Sequence, residues 1–310
     1  MSENGDQTRR KAVRRIGVLI VVGCIGCATL LGLFVLNGTV LALNDEPEIV
    51  TATHPAAPFL NRDEEIRIVA YNIAKAFVHH GGLKFSESEV VRTRLDQMAE
   101  VIRREDPNLV FLSETIRECA PSPVNQVAYL AEQTGMHSWA FGECYNIGLP
   151  FYRIVGGNAI LSRWPLTGVT NLNLAGRKPF YVTRNNRRAL FCETRIGDNS
   201  VLLGSFHNDS FSLTNNAAQS RQILNFLGSR SAVLAGDFNA RPDSDSVKQF
   251  KDNGRFTGEW SGAHTYPSDS PDRTIDYVLA PVDWKLIRHR VITNDASDHY
   301  AIVSEFRLMK

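Results

Sequence analysis

The chain predicts an α/β fold of two packed mixed β-sheets flanked by helices, preceded by one N-terminal transmembrane helix. Three observations carry this. Strand-length and helix-length apolar patterns alternate through the first half of the soluble part; strands outnumber helices in the second half, with several hairpin-like neighbours; and one long uncharged stretch stands apart near the N-terminus. Mixed order of this kind suits two packed sheets better than one all-parallel sheet. With 310 residues, 43% hydrophobic and 22% charged, there is apolar surface for one large core. Formal net charge is +1, and from Ile66 onward 28 basic side chains face 25 acidic ones. That balance excludes a strong bulk field for nucleic acid, so any polyanion contact must be local.

The N-terminal elements follow from charge. Residues 1–15 carry Arg9, Arg10, Lys11, Arg14 and Arg15 and read as a basic cytoplasmic N-terminus. Residues 16–43 read as a transmembrane signal-anchor: Ile16 to Leu36 holds no charged residue, and about 20 apolar residues suffice to cross a bilayer. Asp45, Glu46 and Glu48 follow, so the positive-inside rule puts the bulk of the chain on the extracytoplasmic side of a single-pass membrane protein. A cleaved signal peptide, with Val40 and Ala42 before the cut, and lipid attachment at Cys24 are the alternatives. Residues 44–65, with Pro47, Pro55 and Pro58, read as a linker, and residues 66–310 as one globular domain.

Within that domain, Ile66, Ile68, Ala70 and Asn72 share one face of a strand by period two, and Asn72 emerges at its end. Ser86 and Glu89 have capping-box spacing; Val91, Leu95, Met98 and Ile102 follow at helical spacing until Asp106-Pro107. Leu109 to Leu112 is the next strand and delivers Glu114 to its end. Ser122-Pro123 opens a helix that finishes near Gly135. Then come strands at Gly157–Leu161, Ala189–Ile196 and Val201–His207, a helix over 215–227, and strands at Ala232–Ala235, Thr274–Leu279, Trp284–Val291 and Tyr300–Leu308. Trp164 and Trp284 read as packing residues, and His79-His80 before Gly81-Gly82 as a loop. Of five cysteines, Cys24 and Cys27 lie in the span, Cys192 in a strand, and Cys119 and Cys144 flank a helical segment, where a bridge and free thiols are both open.

The chemistry gathers at strand ends, where an α/β sheet presents its site. In Gly236-Asp237-Phe238-Asn239, Asp237 offers an anionic oxygen for a hard cation or a nucleophilic water. Asn239 offers an amide to phosphate, and Gly236 a close backbone turn. Glu114 is a carboxylate following an apolar strand, read either as a solvated strand end or as a Mg²⁺ ligand. His207, before Asn208-Asp209, and His299, after Asp298, are imidazoles with acidic company, able to stabilise a phosphorane-like charge or protonate a leaving oxygen. Asp276 lies where a charge is costly unless partnered, and a histidine is its natural partner. The oxygen-rich donor set favours Mg²⁺ or Mn²⁺ over zinc. No CxxC or zinc-spaced Cys/His cluster occurs in the soluble part, and no GxxxxGK[ST] loop occurs at all.

Tyr71-Asn72, Ser113-Glu114, Gly157-Asn158-Ala159-Ile160-Leu161-Ser162, Ser205-Phe206-His207, Gly236-Asp237-Phe238-Asn239, Ile275-Asp276-Tyr277 and Ser297-Asp298-His299 resemble, in order and spacing, the motifs of the endonuclease/exonuclease/phosphatase superfamily, over roughly residues 66 to 308. The resemblance implies a four-layered sandwich with a deoxyribonuclease-I-like fold, in which residues 66–310 form the catalytic domain of a divalent-metal-dependent phosphoesterase. It implies that Glu114 leads the metal site with Asn72 and Asp298 in support. Asp237 holds or deprotonates the attacking water, and Asn239 orients it. His207 and His299, the latter positioned by Asp276, stabilise the transition state, and Arg188, with Arg187 its competitor, lies near the substrate phosphate.

The resemblance implies a phosphodiester substrate, with nucleic acid one candidate. The superfamily spans deoxyribonucleases, abasic-site endonucleases, inositol-phosphate phosphatases, sphingomyelinases and deadenylases. Residues 140–153 carry Phe141, Tyr145, Phe151 and Tyr152, while residues 172–188 carry Arg177, Lys178, Arg184, Arg187 and Arg188. Such interleaving grips a phosphate backbone or covers a sheet edge. The first reading is therefore a membrane-anchored nuclease-type phosphodiesterase. A lipid- or inositol-phosphate hydrolase is the alternative, and a noncatalytic binding module of the same fold the third. No protein partner is inferable.

Overall fold

A computed structural model describes residues 3–42, 47–60, 64–79, 84–176 and 187–309. The chain order is α1 (Glu3–Thr39), β1 (Glu48–Thr51), β2 (Glu65–Asn72), α2 (Ser88–Glu105), β3 (Leu109–Cys119), α3 (Gln126–Gln133), β4 (Ser138–Leu149), β5 (Tyr152–Ser162) and β6 (Thr167–Asn173). It continues with β7 (Arg188–Ile196), β8 (Asn199–His207), α4 (Leu213–Leu227), β9 (Ala232–Asp237), α5 (Asp245–Lys251), β10 (Phe256–Gly258), β11 (Asp276–Pro281), β12 (Trp284–Ile292) and β13 (Ala301–Leu308).

The strands form two sheets, one in the order β1-β4-β5-β3-β2-β13-β12 and the other β10-β11-β9-β8-β7-β6. Each contains one parallel pair, β2 with β3 and β8 with β9, and both pairs are joined through a helix, α2 and α4 respectively. The remaining pairs are antiparallel. This duplication positions the site. β8 and β9 end together, with His207 in register with Asp237, and β2 ends at Asn72, in register with Ser113 of the longer β3.

Strand alternation accounts for the layering. Ile66, Ile68 and Ala70 of β2 pack with Leu190, Leu203, Val233 and Val278 between the sheets. Val69 and Tyr71 turn the other way, onto the apolar stripe Val91, Leu95, Met98 and Ile102 of α2. The second sheet buries Phe191, Phe206 and Leu234 under Ile223 and Leu227 of α4, and under Val247 and Phe250 nearby. The result is helix, sheet, sheet, helix, with Trp164 and Trp284 in the inter-sheet core.

Local readings differ at several points. The capping box at Ser86 and Glu89 does not form: Glu87 is the N-cap of α2, and Ser86 Oγ donates to Phe77 O at 3.0 Å instead. α3 starts three residues beyond Pro123, where the Asn125 side chain accepts from Ala128 N. Much of the segment read as a linker is woven onto the domain. Residues 48–51 form edge strand β1 on β4, Ala57 N donates to Arg163 O, and Trp164 Nε1 donates to Pro58 O. β4 itself escaped the sequence reading because it runs through both Gly142 and Gly148 with no clean alternation. Cys119 and Cys144 are free, buried thiols.

Candidate active site

The site lies where the two parallel pairs end. Asn72 closes β2, His207 closes β8 and Asp237 closes β9, with Asp276 opening β11 opposite Asp237. Glu114 is not at a strand end: β3 continues to Cys119, and an irregularity between Leu112 and Thr115 places Glu114 at φ +54°. Asn239 follows β9 at φ +49°. A left-handed backbone at a non-glycine residue is costly and persists where surrounding contacts over-determine it. At Asn239 the local contact is Asn239 N donating to Asp237 Oδ1 at 2.8 Å.

Asp237 is the hub. Its Oδ2 accepts from Asn72 Nδ2 at 3.0 Å and lies 3.5 Å from His207 Nε2 and 3.7 Å from His299 Nε2. Asn72 Nδ2 also reaches Glu114 Oε1 at 3.4 Å, and His207 Nδ1 lies 3.8 Å from that oxygen. His299 Nδ1 lies 3.0 Å from Asp276 Oδ2. Burial and the neighbouring Asp276 push the Asp237 carboxyl well above the usual carboxylate range, outweighing His299 and its two hydrogen bonds. Burial alone lowers the His299 imidazole, but Asp276, with Asp237 and Asp298 nearby, raises it to about 9. His207 moves the other way: burial, then Arg187, Lys75 and His299, hold it well below the usual histidine range. At neutral pH one imidazole is a cation and the other a neutral donor-acceptor.

The acidic company expected for His207 is different from its sequence neighbours. Asp209 accepts from Phe211 N and Ser212 N and from Asn215 Nδ2 at the entry to α4, while Glu114 and Asp237 approach the imidazole from other strands. Arg188 also requires correction. It is buried at the start of β7, where its Nη1 donates to Asn171 O at 3.3 Å, and it is Arg187, just before the strand, that lines the cleft. Asp298 is half-exposed on an adjoining depression with Phe77, Pro267, Asp295 and Tyr300, and its Oδ1 accepts from Ser297 Oγ at 3.4 Å. Asn239 Nδ2 donates to Asn208 O at 3.1 Å. Arg177, Lys178, Arg184 and His80 lie outside the described residues.

The sequence reading missed the segment Ala74–Phe77, four consecutive non-glycine residues with φ between +45° and +59°. The turn places Lys75 Nζ on Glu114 Oε2. Its carbonyls are held from outside. Gln126, fully buried, donates through Nε2 to Lys75 O at 2.7 Å and accepts from Ile116 N through Oε1 at 2.9 Å. Arg94 donates to Ala76 O and Phe77 O. Asn216, equally buried, donates to the carbonyls of Asp209, Phe238 and Asn239, fixing the second left-handed position. An Asn or Gln inside an apolar stretch is a weak sign of such a clamp.

A cleft of about 590 Å³ opens from these groups. Lys75, Glu114, Asn158, Arg187 and His207 form its polar floor, and Val78, Phe85, Ile116, Tyr145, Ile147 and Ile154 its apolar wall. Asp237, Asp276 and His299 offer ligand atoms all within 4.8 Å of one another, but the Asp276 carboxylate already serves His299, and an imidazolium repels a cation.

A model of the Endonuclease/Exonuclease/phosphatase family matches residues 69–299. No curated protein sequence matches the chain significantly. Among solved structures, an endonuclease/exonuclease/phosphatase from Beutenbergia cavernae is 25% identical, over 79% of this chain and 72% of that one, with a TM-score of 0.64. The mannosyl-6-phosphatase of Bacteroides thetaiotaomicron is 14% identical, over 78% of this chain and 99% of that one, at 0.57. The human Nocturnin catalytic domain is 16% identical, over 85% and 97%, also at 0.57. The last two likenesses speak to the fold alone.

Proposed function

The chain belongs to the endonuclease/exonuclease/phosphatase family, a family of phosphoester hydrolases, and on that premise we propose that it is a membrane-anchored, divalent-metal-dependent enzyme hydrolysing phosphodiester bonds. The observation that carries the reading is the placement of Asp237 Oδ2 between two histidine Nε2 atoms and the Asn72 amide, in the same space that the Glu114 carboxylate reaches.

The residues fit a hard divalent cation. Glu114 and Asp298 are carboxylate donors, and Asn72 is a side-chain amide beside Glu114, its Oδ1 accepting from Ala74 N at 3.0 Å and its Nδ2 facing Glu114 Oε1; Glu114 already draws in the Lys75 ammonium, a stand-in for positive charge at that point. Held by these residues, Mg²⁺ or Mn²⁺ supplies Lewis acidity toward a phosphoryl oxygen. Asp237, kept basic in character by burial and Asp276, holds the nucleophilic water and takes its proton. Asn239, fixed by its left-handed backbone and by Asn208 O, orients that water. His299, made cationic by Asp276, and His207, neutral and able to donate, face the charge that develops on phosphorus. Arg187, which lines the cleft, neutralises substrate phosphate.

Two substrate readings stand beside this mechanism. A nuclease-type activity draws on Arg187 and on the basic composition of residues 172–188. A lipid- or inositol-phosphate hydrolase is favoured for its lipid form by the apolar wall of the cleft, which a sugar-phosphate backbone would leave unmatched. The test uses the full chain in detergent with plasmid DNA, bis-p-nitrophenyl phosphate, sphingomyelin and an inositol polyphosphate, under Mg²⁺, Mn²⁺ or EDTA. EDTA-sensitive turnover of one substrate, lost in Asp237→Ala, supports the enzyme and selects its class. Turnover that survives EDTA refutes the metal assignment, and a folded protein silent on all four favours a binding module.

A further inference from the structure

Strand β4 serves the cleft and the anchor helix on neighbouring residues. Tyr145 and Ile147 line the cleft, while Asn37 of α1 donates through Nδ2 to Asn146 Oδ1 at 2.7 Å and to Gly148 O at 3.1 Å. Asn37 is only 1% exposed, so the helix end is packed rather than tethered. The covered residues of α1 include Leu33, Phe34, Asn37 and Gly38, one helical stripe, whereas Leu30, Leu31, Val35 and Leu36 are exposed. Leu33 and Phe34 belong to the apolar span. The catalytic domain therefore reaches alongside the last turn of the segment read as crossing the bilayer, with β4 as the main element against it.

Just past Gly148, β4 turns into β5 through Leu149, Pro150, Phe151 and Tyr152. Phe151 is 72% exposed and Tyr152 54%. A strand rises about 3.3 Å per residue, so Phe151 lies within roughly 10 Å of the point where α1 is held. We propose that this hairpin tip seats in the lipid interface beside α1, as a second membrane contact that fixes how the catalytic cleft faces the bilayer. The occupant is a lipid surface. Four residues are far too few for a protein interface, which needs about 800 Å² per partner, whereas an apolar ring beside a tyrosine suits the water–lipid boundary. The placement also puts Tyr145 and Ile147, the part of the apolar cleft wall on the same strand, toward the membrane side. This rests on α1 spanning the bilayer.

The test uses the full chain in phosphatidylcholine/phosphatidylglycerol nanodiscs. An NBD probe is placed on Phe151→Cys, or on Val282→Cys as an aqueous control 58% exposed in the β11–β12 turn, each with Cys24→Ala and Cys27→Ala; the other cysteines are buried. A third sample carries the probe on native Cys24 with Cys27→Ala. The expected result is quenching at 151 by spin-labelled lipid, with iodide quenching severalfold weaker than at 282. If Cys24 is lipid-quenched while 151 is as open to iodide as 282, the proposal falls and the anchor stands. Shielding of 151 from iodide without lipid quenching indicates a protein contact and also overturns it. If Cys24 is not lipid-quenched, the anchor reading falls and takes the proposal with it.

Discussion

Gln126→Leu tests whether the site is held by residues that never touch substrate. Gln126 is fully buried on α3 and joins two backbone groups, Lys75 O at 2.7 Å and Ile116 N at 2.9 Å. Leucine fills nearly the same volume, so the loss is polar rather than a cavity. Each orphaned buried group costs about 1–3 kcal/mol, or roughly 2–6 kcal/mol together if nothing rearranges. The clamped turn stores strain as well, since each non-glycine left-handed residue costs about 1–3 kcal/mol and Ala74–Phe77 contains four. Relaxation of the turn is therefore the cheaper response, and it releases the Asn72 side chain, whose Oδ1 accepts from Ala74 N at 3.0 Å, along with Lys75. At ~2–4 °C per kcal/mol for a domain of this size, the midpoint falls by roughly 4–24 °C, toward the low end where the turn relaxes, and hydrolysis falls even well below that temperature. Gln126→Glu keeps an acceptor for Ile116 N but loses the donor to Lys75 O, and it should disturb the site while remaining folded. Thermal unfolding followed by tryptophan fluorescence, with Mg²⁺-dependent kcat/KM on the same samples, measures both. A Gln126→Leu protein that melts within a degree of wild type and turns over at the wild-type rate refutes the clamp.

Three further outcomes follow from the same geometry. Asp237→Ala removes the group between both histidines and abolishes hydrolysis, while unfolding stays near wild type because a buried like-charge contact with Asp276 is also relieved; steady-state assay and melting check both halves. Asp276→Asn keeps a hydrogen-bonding partner for His299 Nδ1 but removes its charge, lowering kcat by ~10²–10⁴-fold and lowering the melting temperature more below about pH 7 than above about pH 9, where His299 is neutral in both proteins. Arg187→Ala raises KM at constant stability. Arg188→Ala instead lowers stability by about 1–3 kcal/mol for its lost buried hydrogen bond to Asn171 O, so paired kinetics and melts separate the two arginines.

Much of the candidate site was legible because it gathers where strands end. Apolar runs that stop at Asn72, His207 and Asp237 announce their own termini, and two such βαβ units facing each other bring those termini into one space. Arg187 and Arg188 show where that logic ends. Adjacent residues at a strand start point apart, and which of them enters the cleft depends on a register with β8 that no local pattern encodes. Glu114 shows it again: its position depends on an irregularity against β5, a strand some forty residues later.

What remained hidden is the support. Lys75, Gln126, Arg94 and Asn216 carry no motif, and in a helical window Gln126 and Asn216 look like ordinary polar positions facing water. Their buried amides instead satisfy carbonyls of the two left-handed segments, around Lys75 and at Asn239. Those segments aim side chains into the cleft from backbone that would relax on its own. The residues that do the chemistry can thus be read where the chain stops being apolar. The residues that hold it in place can be found only by asking, for each strained carbonyl, which distant donor keeps it there.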